Sequence, residues 1–156
     1  MEVLHSLLDE RAVKLDGTFA TKDDLFSYVA SRSAELGITD DGRALHDALD
    51  AREREFATGL MDGFAIPHAK SSAVKRSSIF FVRNASDLDW GTMDGMGVRN
   101  VIALLVPEEN AGDEHLRIIS HLATCLLDEA FRVRLKSLGS AHELVEYIQE
   151  KMEEPI

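Results

Sequence analysis

The feature that most narrows what this chain can fold into is an unbroken apolar run, Val-Ile-Ala-Leu-Leu-Val at residues 101–106, closed by Pro107. A run of that length suits a buried strand, and proline ends it because it has no amide hydrogen for a sheet ladder. A second run, Ser-Ile-Phe-Phe-Val-Arg at 78–83, has the same character, and shorter strand candidates lie at 13–15 and 64–66. The short stretch between the two clear runs, with Gly91, Gly95 and Gly97, points to antiparallel pairing and so to a mixed sheet.

Helical signals alternate with these runs. Thr21 opens a capped segment that continues through Leu25, Phe26, Val29 and Ser33 to Leu36 before Gly37. A second helix is expected from near residue 39 to about residue 55. Ser140 and Glu143 form a capping box ahead of Leu144, Val145, Ile148 and Met152. Interspersed strands and helices predict an α/β fold in which helices cover the sheet.

With 156 residues and no proline-rich, repetitive or low-complexity tract, the chain is expected to form a single domain over residues 1–156. The net charge of -11 argues against nucleic acid, which needs clustered lysine and arginine. No stretch has the length of apolar chain a membrane span needs, and the first ten residues lack a basic start, so a cytoplasmic location without membrane insertion is expected. The lone Cys125 forms no internal disulfide, and no cysteine–histidine pair has zinc spacing.

Six histidines remain as carriers of chemistry, and they are not equivalent. His5, His46 and His142 sit among charged residues of expected helices and read as solvent-facing. His68 follows Gly-Phe-Ala-Ile-Pro, a short apolar strand stopped by Pro67, which places it at a strand end where α/β proteins commonly hold functional groups. A loop histidine bonded only to its neighbours would fit the same position. His115 shares one helical face with Ile119, Leu122 and Leu126, whereas Arg117, Ser120, His121 and Thr124 fall on the opposite arc. It is either a satisfied core histidine or one aimed into a pocket at the positive end of a helix. By the same test Arg52 falls in the stripe of Leu45, Ala48 and Leu49, and Arg54 falls outside it. An arginine in such a stripe snorkels past the core or meets an anion.

Arg52-Glu53, Thr58-Gly59 and Gly63-Phe64-Ala65-Ile66-Pro67-His68-Ala69, followed by Glu114-His115-Leu116 and the closing helix around His142, resemble the EIIA domains of the bacterial phosphoenolpyruvate-dependent sugar phosphotransferase system. The subgroup is the fructose/mannitol type, which includes nitrogen-regulatory paralogues, and the resemblance runs from about residue 4 to residue 148. It implies a three-layer α/β/α sandwich around a mixed sheet. It also implies that His68 accepts a phosphoryl group from the phosphohistidine of HPr, with His115 as partner histidine and Arg52 as the nearby cation. The usual acceptor in the family is a cysteine of an EIIB domain, which phosphorylates sugar during transport through the membrane subunit EIIC. No metal or cofactor is implied. The whole run Met61-Asp62-Gly63-Phe64-Ala65-Ile66-Pro67-His68 looks more like the fructose-type sugar carriers than the nitrogen-regulatory proteins. A regulatory protein whose phosphorylation state controls partner binding keeps the same histidine. A metal-dependent hydrolase using His68 and His115 lacks a third ligand at sensible spacing. Thr58 is expected to shape the pocket or to cap a turn, and nothing is assigned to Asp62.

Overall fold

The structure, a computed structural model, describes residues 7–109 and 113–153. Among the described residues five strands form one mixed sheet: β1 (Leu8–Gly17), β2 (Phe64–Ala65), β3 (His68–Ser71), β4 (Ser78–Leu88) and β5 (Val98–Pro107). β1 runs parallel to β4, and β4 pairs antiparallel with β5 from Ser78↔Leu105 to Leu88↔Val98. The far side of β5 carries both β2 and β3, each parallel to it. The two apolar runs are therefore the antiparallel centre of the sheet, as their spacing implied.

Five helices flank the sheet among the described residues: α1 (Lys22–Glu35), α2 (Gly42–Glu55), α3 (Asp113–Cys125), α4 (Glu129–Ser137) and α5 (Ala141–Glu153). Side chains alternate along a strand, and β5 shows what its unbroken apolar run is for. Val101, Ala103 and Leu105 enter one core with Phe26 and Val29 of α1 and Leu45 and Leu49 of α2. Ile102 and Leu104 enter a second core with Leu122 of α3, Phe131 and Leu135 of α4, and Leu144 and Ile148 of α5. A helix layer on each face gives the expected α/β/α sandwich.

Local chemistry sets the helix boundaries. Thr21 caps α1 by accepting from the Asp24 amide at 3.1 Å. α2 starts later than expected: Asp41 caps it through the Ala44 amide, while Thr39 is buried and bonds Asp41 at both its amide and its carbonyl. The helix that carries His115 stops at Cys125, because Asp128 turns the chain and caps α4 through the Ala130 amide. α4 was not foreseen. Only Phe131, Arg132 and Leu135 face inward there, while Val133 is exposed, so its apolar stripe is too thin to register. Ser140 accepts from the Glu143 amide at 3.1 Å at the head of α5.

Candidate functional site

The site grows from a hairpin. Asp62 and Gly63 have consecutive positive φ values of 60° and 80°, the pattern of a type I′ turn. The Phe64 amide donates to the Met61 carbonyl, the Leu60 amide to the Phe64 carbonyl, and the Ile66 amide to the Thr58 carbonyl. Gly59 stands opposite Ala65 in this hairpin, and a Cβ on Gly59 would lie 2.0 Å from the Gly91 carbonyl oxygen, so the two strands of chain pack there without a side chain between them. Asp62 fixes the tip. Its amide donates to Asp94 at 2.9 Å, and its carboxylate accepts from Arg132 Nε at 3.1 Å and from Lys136 Nζ, both on α4. Those cations hold the Asp62 carboxyl below the usual carboxylate range. Sequence reasoning assigned Asp62 nothing, although Asp-Gly between apolar residues is a strong hairpin signal.

Pro67 does not take the chain out of the sheet, as expected, but carries it from β2 into β3 along the same neighbour. The Pro67 carbonyl accepts from the Leu104 amide at 2.9 Å, and His68 opens β3 opposite Leu104. A proline without an amide hydrogen is tolerated because it sits between two short edge strands. His68 is thus half-buried on an edge strand of the sheet. It borders a cavity of about 360 Å³ with Leu104 and Val106 of β5, Glu108, and Leu116 and Ile119 of α3.

The imidazole of His68 is held below its ordinary pKa, chiefly by burial and then by the Arg52 charge; the Glu53 charge and the Ile66 carbonyl oppose this. Its Nδ1 is buried without a hydrogen-bond partner among the described residues. Neutral imidazole with the proton on Nδ1 presents a lone pair at Nε2, a nucleophile at neutral pH.

Arg52 comes to the site from the end of α2, half-buried, with Nη1 donating to the Phe56 carbonyl at 3.1 Å. The inward stripe of α2 is Leu45, Leu49 and Glu53, so Glu53, not Arg52, occupies the buried position. The sequence carries Glu53 in the Arg-Glu motif, but no role was assigned to it, because a carboxylate at a stripe position resembles a solvated flank. Its Oε2 accepts from the Thr58 amide at 2.6 Å and Trp90 Nε1 at 3.0 Å, and its Oε1 from the Thr58 hydroxyl at 2.5 Å. Arg54 lies on the far side, exposed and paired with Asp50.

His115 belongs to the first turn of α3 by its backbone; its side chain lies outside the described residues, as does the whole of His5. On the same face Leu122 and Leu126 are buried and Ile119 is half-buried. His46 is not solvent-facing as expected. It is half-buried between Asp23 of α1 at 2.7 Å and Asp47 at 3.1 Å. His142 is exposed between Glu10 and Glu146. Among the described residues no group of three histidine, cysteine or acidic side chains stands close enough to hold a metal ion, and no helix is long and apolar enough to cross a membrane.

Comparison with known proteins adds family evidence. Residues 6–151 match the family described as "Phosphoenolpyruvate-dependent sugar phosphotransferase system, EIIA 2". A fructose-specific EIIA component of the phosphotransferase system from Haloferax volcanii is 33% identical over 141 residues, covering 90% of this chain and 91% of that protein. The fructose-specific EIIABC component of Bacillus subtilis is 28% identical over 92% of this chain, which spans only 22% of that longer protein. The crystal structure of nitrogen regulatory protein IIA-Ntr from Neisseria meningitidis superposes with a TM-score of 0.83 at 30% identity, covering 94% of this chain and 99% of that one.

Proposed function

This chain belongs to the EIIA 2 family of the phosphoenolpyruvate-dependent sugar phosphotransferase system, and we propose that it is a cytoplasmic phosphocarrier that accepts a phosphoryl group on His68 from phospho-HPr and passes it to a cysteine of an EIIB domain in fructose-type sugar uptake. The observation that carries the reading is His68 itself. Its ring lies at the sheet edge, pushed towards the neutral form by burial, with Nδ1 enclosed and a guanidinium acting on it.

In the transfer, the Nε2 lone pair forms the new nitrogen–phosphorus bond as the donor's nitrogen–phosphorus bond breaks and returns its electron pair to the donor imidazole. Each ring keeps the proton on its other nitrogen, so no general base is required. The remaining demand is alignment and neutralisation of the phosphoryl oxygens. Arg52 supplies planar donors for that purpose. His115, at the head of α3, adds a second donor beside a helix N-terminus, an assignment that rests on the family resemblance. The apolar cavity beside His68 gives a partner protein a dry surface against the reacting ring.

The fructose-specific relatives support the uptake reading. The likeness to a nitrogen regulatory protein supports a second one, in which the phosphorylation state of the chain governs binding of a partner. Onward transfer separates the two. Phosphorylated protein incubated with a fructose-type EIIB domain should transfer its phosphoryl group to the EIIB cysteine, and His115→Ala should slow that step while His68 is still charged. A stable phosphoprotein that discharges to no EIIB domain would favour regulation.

A further inference from the structure

The link between Arg52 and His68 runs through a carboxylate that no step of the transfer uses. Glu53 is 5% exposed, and its two oxygens take three hydrogen bonds, two from Thr58 and one from Trp90. A buried carboxylate is costly unless donors surround it, so this one is kept for what it holds. Thr58 heads the hairpin: its carbonyl accepts from the Ile66 amide at 3.1 Å, two residues before His68. Trp90 is buried and meets Phe26 of α1 edge-on, with ring centroids 5.7 Å apart. Arg52, the residue before Glu53, is tied within the same turn through the Phe56 carbonyl.

We propose that Glu53 is a positioning residue for phosphoryl transfer: it clamps the end of α2 to the head of the His68 hairpin, and so fixes the Arg52 guanidinium relative to the His68 ring. The proposal rests on the reading of His68 as the phosphorylated residue. The clamp acts after docking, because Glu53 and Thr58 are buried and present nothing to a partner surface. A small displacement of a catalytic group costs rate steeply, so its effect belongs in the transfer rate constant and not in the apparent KM for the donor.

The test is rapid-quench phosphorylation by phospho-HPr, with folding followed by circular dichroism and wild type and His68→Ala run in parallel. Glu53→Ala should lower the maximal transfer rate at least about tenfold with the donor KM unchanged. Glu53→Gln, whose amide oxygen can still accept from the Thr58 amide and Trp90, should recover most of it. Thr58→Val removes only the hydroxyl bond and should show a smaller loss that Thr58→Ser restores, so the clamp stays testable if Glu53→Ala misfolds. A folded Glu53→Ala or Thr58→Val with the wild-type rate constant, or a loss confined to KM, overturns the proposal. An uncharged wild type, or a charged His68→Ala, overturns instead the phosphohistidine reading on which it stands.

Discussion

At His68 two neighbouring charges of opposite sign act on one ring, and burial tips the balance towards the neutral form. The sign follows by linkage: the folded-state pKa is depressed, so the unfolded chain takes up the proton more readily. The group therefore costs stability as pH falls below the ordinary imidazole value of about 6.5. Phosphoryl uptake should hold its neutral-pH rate down through that value and decline only at the lower, folded-state pKa. Initial rates of phosphoryl uptake across pH measure this directly. Arg52→Ala should slow uptake by about tenfold or more, since a charge-assisted contact to the phosphoryl oxygens is lost. It should also move the acid limb to higher pH, because the guanidinium no longer opposes protonation. An Arg52→Ala profile with an unshifted acid limb would remove Arg52 from the neighbourhood of the ring. His68 was legible in the sequence because proline and a short apolar run precede it. Glu53 was not, because nothing local distinguishes a buried, three-donor carboxylate from a solvated one.

Elements were legible where one physical signal dominated. Capped, strongly amphipathic helices and the two apolar central strands could be placed from sequence, with boundaries adjusted by Asp41 and Asp128 as caps. β3 could not. It is four residues long, His-Ala-Lys-Ser, with only Ala69 fully buried, and it exists because β5 offers a free edge. The grip of α4 on the hairpin was equally hidden, since Arg132 and Lys136 lie 70 and 74 residues from Asp62 in the chain. That grip gives a stability prediction at this scale. Asp62→Asn should destabilise the fold by about 1–3 kcal/mol, less than a fully buried pair because Asp62 is a third exposed while Arg132 is nearly buried. Gly63→Ala should cost about 1–2 kcal/mol through its positive φ alone. Urea denaturation of each variant tests both, and an Asp62→Asn protein as stable as wild type would show that α4 does not anchor the hairpin.

Across the whole molecule, the sheet separates two apolar cores and leaves His68 on an edge strand, beside a cavity lined mainly by apolar side chains. That helices cover the sheet was readable from the interspersed strands and helices; cover on both faces was implied by the family resemblance. The exact seat of the site was not readable, because it depends on β2 and β3 sharing one neighbour. A chain of net charge -11 should meet partners through their basic faces, by faster encounter. The proposed function rests on a single chargeable imidazole, His68. Its most direct test is intact-mass analysis after incubation with phosphoenolpyruvate, enzyme I and HPr, with His68→Ala alongside. A single acid-labile phosphoryl group is expected on the wild type and none on folded His68→Ala; a folded wild type left uncharged by several HPr homologues, or a variant charged as fully as wild type, would overturn the phosphocarrier reading.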